Sequence, residues 1–161
     1  MLGGRDWVRL GAVEMSLDCL RRYLQGLPVD ERIDFEKVFR RGIVARDLAE
    51  IYAGVGLDGE PPAGELSRET AEAVAQAARR RTGASHALAV LIALDDGPDR
   101  IDFGGTICLA IASADGVESR RSRILGGREW VRLGATEMGL DCLRRYLQGL
   151  PVAERIDFEK T

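Results

Sequence analysis

Apolar residues in the first segment of the chain recur with the period of an α-helix. Successive residues of a helix are rotated by about 100° around its axis. Counted from Trp7, this rotation places the apolar residues on one broad arc, which consists of two neighbouring sets. The first set is Val8, Ala12, Met15, Cys19 and Tyr23, and the second is Leu10, Val13, Leu17, Leu20 and Leu24. Gly26 and Pro28 end the pattern. The spacing predicts a helix over 5–25 that is mostly buried along its apolar arc.

The same segment occurs twice in the chain. Residues 125–160 repeat residues 2–37 with four differences, Asp6/Glu129, Val13/Thr136, Ser16/Gly139 and Asp30/Ala153. At these four positions the two copies either have similar residue types or differ where we expect the packing to tolerate a change. A second helix with the same buried arc is therefore predicted over 128–148. We therefore expect two parts. Residues 1–38 form a duplicated helix with its tail, a copy of 124–161, and residues 39–161 form an α/β domain.

Between the copies the pattern changes to short elements bounded by turn residues. Residues 42–45 are predicted as a short strand leading into a helical turn, and Ser67 as the cap of a helix that ends at Gly83. The apolar runs HALAVLIAL (86–94) and GTICLAIAS (105–113) are typical of buried strands, and a turn at 114–116 leads into a charged strand at 117–125. This order predicts an α/β fold with helices packed on the faces of a mixed β-sheet.

Composition narrows the function classes. The 161 residues, 45% hydrophobic and 30% charged, have the make-up of one ordinary globular domain. A net charge of −3 gives no reason to expect nucleic acid, and no apolar run reaches the ~20 residues of a membrane span. Because the first residues lack the layout of a secretory signal, we expect a cytoplasmic protein without a membrane partner. The three cysteines form no CxxC pair, so we expect neither a metal nor a cofactor.

Three stretches of the sequence carry a resemblance to a known family. They are GELSRETAEAVAQAARRRTGASHALAV, GGTICLAIASADGV and GGREWVRLGATEMGLDCLRRYL, and FRRGIVARD at 39–47 adds a weaker match. In this order they resemble the C-terminal domain of the competence/damage-inducible protein CinA, the bacterial nicotinamide-nucleotide amidase family. The resemblance implies an α/β domain that binds a nicotinamide nucleotide and cleaves its amide.

The residues on which that family's chemistry depends are replaced here. The family's reactive serine stands in an Ala-Glu-Ser-Cys-Thr-Gly-Gly stretch, which this chain lacks. Arg46 stands where the family has a tyrosine, and Ile51 where it has a lysine. Leu91 and Ile92 replace the threonine and the first glycine of a loop that shapes the nucleotide pocket. Since an amide-cleaving serine needs a base and oxyanion donors, we predict loss of the amidase activity.

Two functions follow from these replacements. The first is a non-catalytic module of the family, acting in assembly or nucleotide binding. The alternative is an amidohydrolase that releases ammonia from nicotinamide mononucleotide, with its active site completed by another chain or an upstream domain. We assign no catalytic residue and interpret His86 as structural. The candidates for binding a nucleotide ligand are Arg46, Asp95, Asp96, Gly105 and Thr106.

The duplication also predicts a partner. Two near-identical helices compete for one groove on the sheet, and the second copy follows strand 117–125 so closely that it should take the groove. The first copy must then bury its arc elsewhere, because soluble monomers rarely leave such a patch exposed. We expect a homo-oligomer, most simply a dimer, with an interface formed by Leu10, Val13, Leu17, Leu20 and Leu24.

Overall fold

The computed structural model of the protein describes residues 40–59, 66–97 and 103–153. The chain divides into two compact units, Met1–Arg40 and Arg41–Thr161, and the elements reported below belong to the second. The helix predicted over 5–25 and the predicted interface leucines therefore lie outside the described residues.

Two helices precede the sheet, and each begins and ends at a capping residue. Helix α1, Leu48–Val55, begins after Asp47, whose side chain accepts a hydrogen bond from the Glu50 amide, and ends at Gly56 with φ of 71°. Helix α2, Arg68–Thr82, begins after Ser67 and ends at Gly83 with φ of 65°. A backbone with positive φ is strained in most residues that carry a Cβ atom, whereas glycine adopts it readily. The predicted caps of α2 are confirmed.

The short strand predicted at 42–45 is not formed. Residues 40–45 have no regular secondary structure, and the Val44 side chain is 92% exposed. An isolated extended segment gains strand structure only by hydrogen bonding to a neighbour, and the described sheet provides none here. The predicted helical turn that follows is present as α1.

Three strands form an antiparallel sheet in the order β1, β2, β3. They are β1 Ala87–Leu94, β2 Gly104–Ala112 and β3 Val117–Leu125. The register pairs Leu91 of β1 with Cys108 of β2, and it pairs Cys108 with Arg121 of β3. A turn joins β2 to β3 where the Ser113 amide donates to the Gly116 carbonyl at 2.8 Å. The predicted strands and hairpin are confirmed, and all pairings among the described strands are antiparallel.

The sheet has a hydrophobic core on each face. Even-numbered residues of β2 pack with α1 and α2, whereas its odd-numbered residues pack beneath the last helix, α3, Arg128–Leu147. Strand β2 is consequently buried on both faces, as its continuous apolar sequence predicts. The α/β class with helices packed on both faces of a sheet is confirmed.

Helix α3 matches the predicted 128–148, but its apolar arc divides into two halves. One half is fully buried against the sheet and comprises Val131, Ala135, Met138 and Cys142. The other half lies outward, with Leu133, Leu140 and Leu147 exposed by 55%, 41% and 59%. Leu143 and Tyr146 of the same arc are partly buried against this core, so the expected burial holds for the side that faces the sheet and fails for the outer side. One sheet face can cover only one side of a helix.

Gly139 allows α3 to lie close to the sheet. A Cβ atom at this position would be 2.5 Å from Val90 Cγ2, a distance that would force the two elements apart. The valine cannot easily turn away, because its β-branched side chain has few rotamers. The first copy has Ser16 at the equivalent position. This exchange, which we expected to be tolerated, falls at one of the tightest contacts of α3.

We predict that Gly139→Ser lowers the free energy of unfolding by about 1–2 kcal/mol. Overpacking costs roughly 1–3 kcal/mol, and the better helix propensity of serine offsets roughly 0.5 kcal/mol of it. Chemical denaturation would measure the difference. The matched control is Thr136→Val, which also installs the first copy's residue but at an exposed position, and should change stability by less than about 0.5 kcal/mol. Equal stabilities for Gly139→Ser and the wild type would contradict this account of the contact.

Candidate functional site

A surface depression of about 610 Å³ lies along the outer side of β1. Its volume falls in the range of about 300–1,000 Å³ that is usual for small-molecule sites. Because it is lined by residues from both faces of β1, the depression follows the edge of this strand. The lining residues are Ala45, Arg46, Asp47, Leu48, Ile51, Leu66, Val90, Leu91, Ile92, Leu94 and Arg132.

The start of α1 fixes one wall of the depression. The Asp47 carboxylate accepts a hydrogen bond from the Glu50 amide at 2.9 Å, and the Glu50 carboxylate accepts one from the Arg46 amide at 2.9 Å. The first bond caps the helix, and the second ties the residue before the cap to the first turn of α1. Arg46 is thereby held immediately before the helix and Ile51 one turn into it, both along the depression.

The end of β1 forms the opposite wall. Leu91 is 3% exposed and packs toward α1 and α2, whereas Ile92 is 36% exposed at the rim. Arg132 reaches the same space from α3, where its guanidinium also bonds Glu129 at 2.9 Å. The depression thus combines an aliphatic wall with two cationic side chains, Arg46 and Arg132, and one carboxylate, Asp47, which caps α1.

The positions at which the family resemblance implies other residues meet in this depression. The resemblance implies a tyrosine, a lysine, a threonine and a glycine where this chain has Arg46, Ile51, Leu91 and Ile92, and all four line the same space. These positions are separated along the chain, so the sequence alone did not show that they form one site. Among the described lining residues there is no Ser, Thr, Cys, Tyr, Lys or His, and the one carboxylate, Asp47, accepts the capping hydrogen bond at the start of α1. The described wall therefore offers a ligand an aliphatic and charged surface, with Asp47 as its one potential general base.

Of the five predicted binding residues, Arg46 lines the depression and the other four lie around the end of β1. Asp95 follows β1 and accepts two hydrogen bonds from the Arg123 guanidinium, one of 3.0 Å. This pairing lowers the pKa of Asp95. Asp96 is exposed beside it. Thr106 on β2 pairs in register with Ala93 and Arg123.

Gly105 has a packing function in this structure. A Cβ atom there would lie 2.9 Å from both the Ala93 carbonyl oxygen and Val131 Cγ1. The absence of a side chain lets the start of α3 approach the sheet at this point. Close contact between helix and strand explains this glycine without a ligand.

A serine and a histidine meet at the other end of β1. Ser85 Oγ lies 3.1 Å from His86 Nδ1, a distance suitable for proton transfer. Both residues precede β1, and neither lines the depression. The His86 ring packs edge-on against Tyr146 with centroids 5.8 Å apart, and the Tyr146 hydroxyl is 2.7 Å from Ser113 Oγ. These contacts agree with the interpretation of His86 as a structural residue.

Within the parts of the chain that the structure describes, no group of three or more His, Cys, Asp or Glu side chains is arranged to hold a metal ion. Cys108 and Cys142 are buried thiols outside any disulfide, and burial raises the pKa of Cys108. None of the described helices is both long and apolar enough to cross a membrane.

The fold and the site define an α/β domain with a ligand-sized depression at its sheet edge. Residues 35–147 match the family model of the CinA C-terminal domain. This match extends over most of the sequence, and the chain belongs to the CinA C-terminal domain family. No solved structure matches it significantly.

Similar proteins carry names from the same family. A CinA-like protein of Solibacter usitatus is 44% identical over 89 residues, which are 53% of this chain and 21% of that protein. A CinA-like protein of Frankia casuarinae is 35% identical over 118 residues, 72% of this chain and 27% of the relative. A putative competence-damage inducible protein of Desulforamulus reducens is 33% identical over 110 residues, which are 67% of this chain and 27% of that protein. The chain thus spans about a quarter of the length of these relatives.

We predict that Asp95→Asn destabilises the protein at neutral pH but not in acid. Because the pKa of Asp95 is lowered in the folded state, its contribution is present above the ordinary aspartate pKa and is lost as the pH falls through the lowered value. An exposed ion pair contributes roughly 0.2–1 kcal/mol. Denaturation at a series of pH values would measure this, with Asp96→Asn as the control. A stability difference that persists undiminished at the acid end would refute the assignment.

Proposed function

We propose that this chain is a non-catalytic member of the CinA C-terminal domain family that binds a nucleotide without cleaving its amide. The observation that carries the proposal is the meeting of Arg46, Ile51, Leu91 and Ile92 in one depression. Replacement of a single reactive group could be compensated by a neighbour. Here every position of the described wall that corresponds to a family motif presents an arginine or an aliphatic side chain, and the family's serine motif is missing from the sequence.

The chemistry of the depression supports an anionic ligand with an apolar part. Arg46 and Arg132 can donate charge-assisted hydrogen bonds to a phosphate, for which the planar guanidinium is well suited. Ile51, Leu91, Ile92 and Leu94 offer an aliphatic surface on which a heterocyclic base can be buried. A mononucleotide combines both features, and nicotinamide mononucleotide is the ligand that the family resemblance implies.

One observation favours the second candidate, an amidohydrolase completed from elsewhere. The chain spans about a quarter of the length of its relatives, so those proteins contain much sequence that has no counterpart here. A serine and a base supplied by another chain or an upstream domain would then have to enter the depression beside Arg46. In that case the 161 residues would contribute the ligand-binding wall and would be inactive alone.

We expect the purified chain to release no ammonia from nicotinamide mononucleotide. The described lining of the depression provides no nucleophile, and the Ser85–His86 pair lies at the opposite end of β1. A coupled ammonia assay would test this. Ser85→Ala is the control. If this substitution abolishes a residual turnover, that activity belongs to the Ser85–His86 pair. Turnover that survives repurification and is lost in an Arg46 variant would overturn the non-catalytic proposal.

We further expect nicotinamide mononucleotide to bind, and Arg46→Ala to weaken that binding about tenfold or more. A hydrogen bond to a charged group contributes roughly 1.5–3 kcal/mol, which corresponds to at least about a tenfold change in affinity. Titration calorimetry would measure the dissociation constants. Arg80→Ala, an exposed arginine of α2 outside the depression, is the matched control. Absence of binding, or equal losses in the two variants, would refute a nucleotide site at this position.

A further inference from the structure

The outward face of α3 carries a stripe of exposed leucines. Leu133, Leu140 and Leu147 follow one another at intervals of seven residues and are 55%, 41% and 59% exposed. Trp130, at 60% exposure, lies at the start of the same surface. Residues seven apart return to nearly the same side of a helix, so the three leucines form one continuous line. We refer to these three leucines as the outer stripe.

The outer stripe lies on the side of α3 that points away from the sheet. The buried residues Val131, Met138 and Cys142 are roughly half a turn from it around the helix axis. The helix is therefore apolar on two opposite sides, whereas a surface helix ordinarily has one apolar stripe and one polar face. A line of apolar side chains with heptad spacing is the pattern by which helices pack against other helices.

We propose that the outer stripe is the interface with a second copy of this chain, in which the two α3 helices pack antiparallel about a two-fold axis at Leu140. The stripe is symmetric about this residue, with Leu133 seven positions before it and Leu147 seven after it. The antiparallel pairing therefore brings Leu140 against its counterpart and Leu133 against Leu147 of the second copy. Such an isologous contact uses the same surface on both subunits and closes after two chains.

Charges beside the stripe select the antiparallel orientation. Glu137 lies three residues before Leu140 and Arg144 four after it, on the same side of the stripe, and both are exposed. Antiparallel packing about Leu140 places Glu137 next to Arg144 of the second copy, twice in the dimer. Parallel packing aligns residues of the same number, so neither charge meets its opposite. Arg144 also bonds Asp141 at 2.6 Å within its own helix, so we assign the intermolecular pair to orientation rather than to affinity.

The competing occupant of this surface is the first copy of the duplicated segment. Leu10, Leu17 and Leu24 repeat the stripe, and none of the four differences falls on it. Glu14 and Arg21 of the first copy also match Glu137 and Arg144, so the sequence does not separate the two occupants. We commit to the second chain's α3 because its leucines and charges are the ones that the structure describes as exposed. This assignment moves the dimer interface from the leucines predicted in the first copy to those of the second.

The first experiment compares equivalent substitutions in the two copies of the segment. Light scattering on the full chain should give a dimer mass for the wild type and for Leu17→Glu. Leu140→Glu should raise the dissociation constant by about thirtyfold, as expected for the loss of a central anchor. Leu140 is 41% exposed, so the variant should keep the wild-type circular dichroism and thermal stability.

Cysteine cross-linking tests the orientation. With the axis at Leu140, Leu140→Cys should form a disulfide-linked dimer on oxidation, because the two residues meet across the axis. Leu133→Cys should not, because its counterpart lies about four helical turns, roughly 21 Å, away along the helix axis. The double variant Leu133→Cys, Leu147→Cys should cross-link again. The wild-type chain is the control for its native cysteines, of which Cys108 and Cys142 are buried.

Three results would overturn the proposal. A monomeric wild type at micromolar concentration would remove the interface altogether. Dissociation by Leu17→Glu would assign the outer stripe to the first copy of the segment. Efficient cross-linking of Leu133→Cys alone would show a parallel pair and exclude the two-fold axis at Leu140.

Discussion

Burial of β2 on both faces is the constraint on which the rest of the described fold depends. Its side chains alternate between a core with α1 and α2 and a core with α3, and the residues from Ile107 to Ala112 are all nearly inaccessible to solvent. An apolar strand of this kind is stable only when helices cover both sides of the sheet. The chain therefore needs one α3-type helix on its second face, although its sequence contains the α3 segment twice.

The location of the depression separates the proposed loss of the family's chemistry from the stability of the fold. Ile51 and Leu91 also pack in the core with α1 and α2, whereas Ile92 lies at the rim of the depression. Aliphatic residues at these positions extend that core and bring no polar side chain into the depression. The fold is thus compatible with an edge that lacks the polar groups of an amidase, which accords with the general separation of fold from function.

Local elements could be read from the sequence, whereas contacts between distant segments could not. Ser67 and Gly83 delimit α2 because capping depends on a few neighbouring residues, and the run at 105–113 identified a strand buried on both faces. The strand predicted at 42–45 failed because strand formation depends on a partner. Periodicity identified all apolar positions of α3, but it could not show that Leu140 faces solvent while Cys142 faces the sheet.

The candidate site shows the same division. Arg46, Ile51, Leu91 and Ile92 were recognisable one by one as departures from a family pattern. Their meeting in one depression depends on how α1 lies beside β1, which no local pattern contains. Gly105 stands apart from these four residues, since the structure gives this glycine a packing reason against Val131, and its binding of a ligand stays a prediction.

Gly139 provides a physical reason for which copy of the duplicated segment occupies the sheet. Connectivity already favours the second copy, because α3 follows β3 after only two residues. Steric fit favours it as well, since Val90 leaves no room for a Cβ atom at residue 139 and the first copy carries Ser16 there. Exchange of the two segments, within a chain or between chains, would therefore bring a serine into this contact. The sheet distinguishes two nearly identical segments through one missing side chain, and the outer stripe of the segment that it selects stays exposed.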